Sequence, residues 1–369
     1  MNNLDAFIGL LLFLAGAPAF VLQFSSNTAR DILLKRQPFA GALTLYGPFT
    51  LGVIVFIVLN SLPPSTISES ILLYVLIALV LWVCFRTLSY ARPTAIIHSE
   101  LQRALKYIKL KRDFPQIHVN NIVDIGSESN NSEEQRQTLI ALQKIAQAYL
   151  QCPTYKGNQF EDFIKDLQNI LTIQDQEANA ENYQIVISIM QSIVEHPQTH
   201  PGHSYADQSL AYKTLSALGQ RALHFINPQV PILCMNALST HNTPLSTAAS
   251  QSLYEIAAAA LKQDTPLIAM NALQAIGSAF YAAAPNLPSQ EITFDYLALL
   301  AAFWQHGSSG QFIARRDLDE LRSYPGLNLQ QQIELAIEHQ REKANFTISD
   351  QIEAMWLAYH NKNQSTMLR

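Results

Sequence analysis

Charge is what this 369-residue chain has least of: 14% of its residues are Asp, Glu, Lys or Arg, against roughly 25% in soluble domains. The shortage sits at one end. Up to Arg92 there are five Lys/Arg and three Asp/Glu, whereas the remaining 277 residues carry 19 and 26, a net of -7. That acidic balance argues against nucleic acid as a partner. Cysteine is also scarce. Cys84, Cys152 and Cys234 have no metal or redox spacing, so a disulfide framework is not expected. Catalytic signatures are missing as well: the sequence holds no GxSxG, no GxGxxG after a strand, no GxxxxGK(S/T), no HExxH and no CxxC. An enzyme is therefore the minor expectation, no catalytic residue is singled out, and no cofactor is expected.

What is present is long uncharged apolar sequence. Phe7–Phe24 and Ala42–Leu59 are each 18 residues without a charge, and Ile71–Phe85 is 15, reaching Leu88 if Arg86 extends its charge outward. A bilayer core of about 30 Å needs roughly 20 such residues in a helix. Three runs within 90 residues predict three transmembrane helices, near 7–24, 42–59 and 71–88.

The loops predict their orientation. Ser25–Gly41 carries Arg30, Lys35 and Arg36, Asn60–Ser70 carries no Lys or Arg, and the stretch after the third run carries seven, from Arg86 to Arg112. Excess Lys/Arg marks the cytoplasmic side. The amino terminus is thus expected outside a cell inner membrane, with the carboxy-terminal part cytoplasmic. Ala15-Gly16-Ala17 looks like a cleavage site, but the leader MNNLD has no positive side chain and contains Asp5, so an uncleaved span is expected rather than a removed signal. No Asp, Glu, Lys, Arg or His lies within the runs, which takes away the usual evidence for ion-coupled transport. Gly16, Pro18, Gly47, Pro48 and Gly52 leave a passive oligomeric pore as an alternative.

After Pro93 the chain changes character. Ile97, Leu101, Ala104, Leu105 and Ile108 recur at helical spacing and make one apolar face over Thr94–Arg112. Arg103, Lys106, Lys109, Lys111 and Arg112 form a basic cluster close to the last run, and are the candidate lipid-contact residues. Gln116–Ile125 has β-branched residues in loose alternation and reads as a short strand, with a polar loop to Asn131. Residues 93–131 thus read as a juxtamembrane helix and linker, and 132–369 as an α-helical domain. Ser132 and Gln135 make a capping box there. Helical periodicity follows over Phe160–Leu171, Tyr183–Val194, Ala206–His224, Val230–Thr240, Ser246–Leu261, Pro266–Ala283, Thr293–Trp304, Leu329–Lys343 and Ser349–His360. The fold class expected is mainly α.

One internal repeat is visible. Leu210, Leu218, Pro231 and Met235-Asn236-Ala237-Leu238 recur 35 positions later as Leu245, Leu253, Pro266 and Met270-Asn271-Ala272-Leu273. Such a period fits stacked helical pairs. Asp264–Phe280 resembles the second helix of a HEAT-type repeat, and Asp207–Leu223 looks alike, giving two units near 207–283. The polar candidates are fewer. His196, His200 and His203 in HPQTHPGH have a zinc-like spacing, but Pro197, Pro201 and Gly202 make the segment read as a solvated loop, so a His-loop metalloenzyme is a distant alternative. The other histidines, His98, His118, His224, His241, His306, His339 and His360, show no pattern. Asp317, Asp319 and Glu320 beside Arg315 and Arg316 read as an exposed, self-paired helix surface.

Arg221-Ala222-Leu223 followed by Ile226-Asn227-Pro228 resembles a run in a bacterial family of predicted membrane proteins whose function is unsettled. The layout of Ser25–Leu43 and the basic helix after the third run share in the likeness, which reaches over about two-thirds of the chain. An acid expected between Asn227 and Pro228 is absent here, one residue is deleted, and a further amino-terminal span of that family has no counterpart. The resemblance implies a bacterial inner-membrane setting and supplies no active residues. Together these features predict a membrane-anchored helical scaffold whose partners are lipid and a cytoplasmic protein, or further copies of itself.

Overall fold

The computed structural model describes residues 78, 92–129, 131–152, 160–173, 180–199, 206–224, 229–239, 245–283, 290–324, 327–342 and 346–367. The three expected spans, near 7–24, 42–59 and 71–88, lie outside them apart from Ala78, a single described helical residue. The described residues are helical throughout, with no strand: α1 (Pro93–Lys111), α2 (Gln116–Glu128), α3 (Ser132–Leu150), α4 (Glu161–Ile173), α5 (Ala180–Thr199), α6 (Ala206–Ala222), α7 (Gln229–Ser239), α8 (Thr247–Lys262), α9 (Pro266–Ala283), α10 (Gln290–Gln305), α11 (Ser308–Ser323), α12 (Leu329–Glu342) and α13 (Phe346–Met367). Among them no helix is long and apolar enough to cross a membrane. Two compact units divide the chain, one holding the residues up to Thr154 together with Asp166–Ile173, the other Tyr155–Lys165 and Gln174–Arg369.

In the first unit α1, α2 and α3 pack on one another. Proline opens α1 because the first turn has no use for its missing N–H. Arg112 ends the helix in the left-handed conformation (φ 54°), and its N–H donates to the Ile108 carbonyl at 2.8 Å. Ile97, Leu101, Ala104 and Ile108 are buried, as their spacing predicts, together with Ile96, while Leu105 on the expected face is half-buried. The strand expected over Gln116–Ile125 is α2 instead. Val119, Ile122, Val123 and Gly126 fall at i, i+3, i+4 and i+7 and are all buried, so the β-branched residues obey the helical period once α1 and α3 provide a surface. Backbones approach closely there, since a Cβ on Gly126 would come 2.5 Å from Thr138 Cγ2. The cap of α3 also differs by one position. Asn131, not Ser132, accepts the Glu133 N–H at 3.0 Å, and Gln135 Nε2 donates to the Ser129 carbonyl.

In the second unit the helices alternate between two layers. α6, α8 and α10 neighbour one another in one layer, α5, α7 and α9 in the other, and consecutive helices pack across. The repeat supplies equivalent core positions: Leu218 and Leu253 in one layer, Leu238 and Leu273 in the other, are each no more than 3% exposed. The segments Asp207–Leu223 and Asp264–Phe280, which look alike in sequence, fall in different layers as α6 and α9. The 35-residue period pairs α6 with α8 and α7 with α9, because the layer is set by order in the hairpin.

The α8–α9 turn shows how a pair is closed. Thr265 N–H reaches the Ala260 carbonyl at 2.9 Å and Asp264 N–H the Leu261 carbonyl at 3.1 Å, with Asp264 left-handed at φ 57°, a Schellman ending without glycine. Pro266 then starts α9. Neighbouring turns touch: Gln263 Nε2 is 3.4 Å from the His224 ring, and Asp264 Oδ1 is 3.3 Å from His306 Nε2. Beyond α11, α12 and α13 pack on each other and on α10.

Candidate functional site

α1 carries the five basic candidates. Lys106, Lys109, Lys111 and Arg112 are exposed. Arg103 is engaged differently, donating from Nη1 to Glu100 Oε1 at 3.2 Å. Glu100, which the sequence reading did not single out, is the polar centre of this unit. Its side chain is 2% exposed, and its other oxygen lies 2.9 Å from His118 Nδ1 and 3.4 Å from Asn121 Nδ2. A carboxylate so buried must be hydrogen-bonded to remain charged; here it pins the first turns of α2 to α1. The signal was present in the sequence, since Glu100 sits among Ile96, Ile97, Leu101 and Ala104 on the apolar face.

A second cluster joins α9, α10 and α11. Tyr296 Oη donates to Asp317 Oδ2 at 3.2 Å, while Arg316 places Nε and Nη2 at 3.1 and 2.9 Å from Asp317 Oδ1. Asp317 is therefore buried, 7% exposed, and not part of a solvated surface helix as expected. Its spacing explains this: it lies three residues after Ala314 and four before Leu321, on the buried face of α11. Asp319 remains at the surface but accepts from Tyr359 Oη at 2.7 Å, tying α11 to α13. Arg315 stands 5.7 Å over the Trp304 ring.

Tyr281 and Tyr296 lie ring to ring, 6.5 Å between centroids. Burial, with the Glu320 carboxylate adding to it, pushes the Tyr281 phenol up to about 12. Burial and then Asp317 raise Tyr296 further. Both phenols stay protonated at neutral pH, so the cluster offers hydrogen-bond donors rather than a nucleophile. Cys234 is fully buried and burial pushes its thiol up, which leaves it unreactive; Cys152 is buried too.

The histidine candidates divide. α5 continues through Pro197 to Thr199, so His196 belongs to its last turn and not to a loop. A proline this close to a helix end removes a single backbone bond, and the helix stops two residues later. The side chain of His196, and His200 and His203 entirely, lie outside the described residues. Among the described residues no group of three His, Cys, Asp or Glu could hold a metal ion. His98 is exposed on α1, His360 stacks on Trp356, and His118, His224 and His306 make the contacts given above. His241 and the side chain of His339 lie outside the described residues.

What the described residues assemble is thus a basic face on α1, a buried polar lock in each unit, and a two-layer helical array. No protein-family model, no curated protein and no solved structure matches the chain.

Proposed function

We propose that this chain is a membrane-anchored helical-repeat scaffold. The uncharged runs hold it at the bacterial inner membrane with the amino terminus outside, and a HEAT-like array on the cytoplasmic side presents its surface to a protein partner. The observation that carries this reading is the alternation of α5 to α10 between two layers, with Leu218 and Leu253, Ala237 and Ala272, and Leu238 and Leu273 buried in both members of each pair. Stacked helical pairs build extended surfaces, and such surfaces are used for binding. The polar clusters in both units are spent on holding helices together.

The test is chemical cross-linking in native membranes followed by purification of the full chain. A protein partner in stoichiometric amount is expected, and it should be lost when exposed positions of the array, Leu267 and Asn236 in one layer or Lys213 and Gln251 in the other, are changed to Glu. Repeated recovery of the chain alone, or a partner insensitive to all four changes, overturns the proposal.

A further inference from the structure

We infer that the corner between α1 and α2 is a docking surface for an anionic lipid bilayer, seated through Leu110 and Ile117 and held by the cations close to them in the chain. This rests on the proposed membrane anchoring and goes beyond it, naming the surface that lies against lipid outside the spans. Three observations carry it.

The apolar face of α1 is already used. Ile96, Ile97, Leu101, Ala104 and Ile108 are buried and the helix packs on α2 and α3, so α1 cannot lie in a bilayer on its hydrophobic stripe in the usual manner of surface helices. Only what projects at the corner is left for lipid. There, two large aliphatic side chains stand in solvent, Leu110 at 68% and Ile117 at 73% exposure, with Tyr107 at 37%. Phe114 and Pro115 between them are buried and rigidify the turn, and Phe114 packs edge-on against Tyr149 of α3 with centroids 5.1 Å apart.

Charge then selects the occupant. Residues 101–123 carry five Lys/Arg and one acid, Asp113. Asp113 Oδ1 accepts the Phe114 N–H at 2.8 Å, and Lys106, Lys109, Lys111 and Arg112 are exposed on the same stretch of chain as Leu110. Exposed aliphatic side chains close in the chain to exposed cations match a bilayer surface of anionic headgroups over hydrocarbon, where each cation strengthens attachment about fivefold and each inserted aliphatic side chain roughly tenfold or more.

Chain length permits it. The third apolar run ends at Phe85, eight residues before Pro93, a reach of at most about 28 Å. The 19 residues of α1 span about another 28 Å, so a tilted α1 brings its far end to the same surface. The Glu100–His118 contact fixes α2 on α1 and so fixes where Ile117 projects.

The experiment uses the full chain with its native cysteines replaced, Leu110→Cys or Ile117→Cys carrying an environment-sensitive fluorophore, and vesicles of phosphatidylcholine alone or mixed with phosphatidylglycerol. Spin-labelled lipid should quench both probes in the mixed vesicles and much less in phosphatidylcholine. Changing Lys106, Lys109, Lys111 and Arg112 to Gln should reduce quenching to the phosphatidylcholine level while far-ultraviolet dichroism stays unchanged. A chain that resists alkaline extraction but whose probes remain in water with either lipid overturns the inference and leaves the anchor standing. A chain that is extracted yet binds added mixed vesicles with quenched probes overturns the anchor and supports the inference. Extraction without vesicle binding overturns both.

Discussion

The unit of α1 to α3 and the repeat array of α5 to α10 are built from different currencies. The first centres on a single buried carboxylate, Glu100, with Arg103, His118 and Asn121 around it, and it shows solvent a basic face. The array centres on small and aliphatic residues: Ala249, Ala257, Ala260, Leu253 and Ile256 fill α8 at under 1% exposure, and Gly219 lets α6 come so close that a Cβ there would lie 2.7 Å from Ile256 Cδ1. Direction comes from charge in one and shape from close packing in the other. A short helical bundle can be held by one polar hub, whereas a stacked array is held by the packing of each helical pair on its neighbours.

That contrast can be broken first in the array. Leu253→Ala, in a site with no solvent exposure, should cost about 3 kcal/mol and at most about 5. Segment-resolved hydrogen exchange should show faster opening of α6 to α10 and no change in α1 to α3. An effect spread evenly over both units would mean that they unfold as one.

Glu100→Ala is the counterpart. It strands His118 and Arg103, but both reach solvent, so about 2 kcal/mol is expected rather than the larger cost of a fully buried pair. Exchange should quicken in α1 and α2 alone. Gly126→Ala sharpens the same side: the added methyl overlaps Thr138 and should cost about 1 to 3 kcal/mol, with Thr138→Ala restoring much of it.

Smaller effects are expected from the locks of the second unit. Tyr296→Phe removes the hydrogen bond to Asp317 and should cost about 1 kcal/mol, read as a shift in the denaturant midpoint of that unit. Alkaline pH acts in the same place. Tyr183 and Tyr281 have phenols raised to about 12 by burial, so the folded state keeps protons that the unfolded chain releases near 10. Stability is intact below pH 10 and falls as pH rises toward 12. Phenolate absorbance should show these tyrosines ionising late and together with loss of helicity in α5 to α11; ionisation at the ordinary value would remove them from the account.

Much of the helical layout was legible because its signals are local. Pro266–Ala283 is read to the residue from a proline start and a run of apolar spacing, and α6, α7, α8 and α12 fall within two residues of their sequence bounds. Two readings failed for a shared reason. In α2 a β-branched composition suggests alternation, yet helical and strand periods both fit ten residues, and only contact with α1 and α3 chooses. In α11 the charges suggest a solvated surface, yet Asp317 lies on the apolar side and finds Tyr296 from another helix. The basic cluster on α1 was visible, but the exposure of Leu110 and Ile117 was not, because the fate of an apolar side chain depends on what the rest of the fold covers.

By itself, the sequence determined the helical character, the 35-residue register and the charge asymmetry, all of which follow from neighbours along the chain. Tertiary structure alone decided which layer each helix joins, which acids are buried and which apolar residues stay in solvent. Those depend on surfaces brought together from positions many residues apart, and burial exists only once both surfaces are in place.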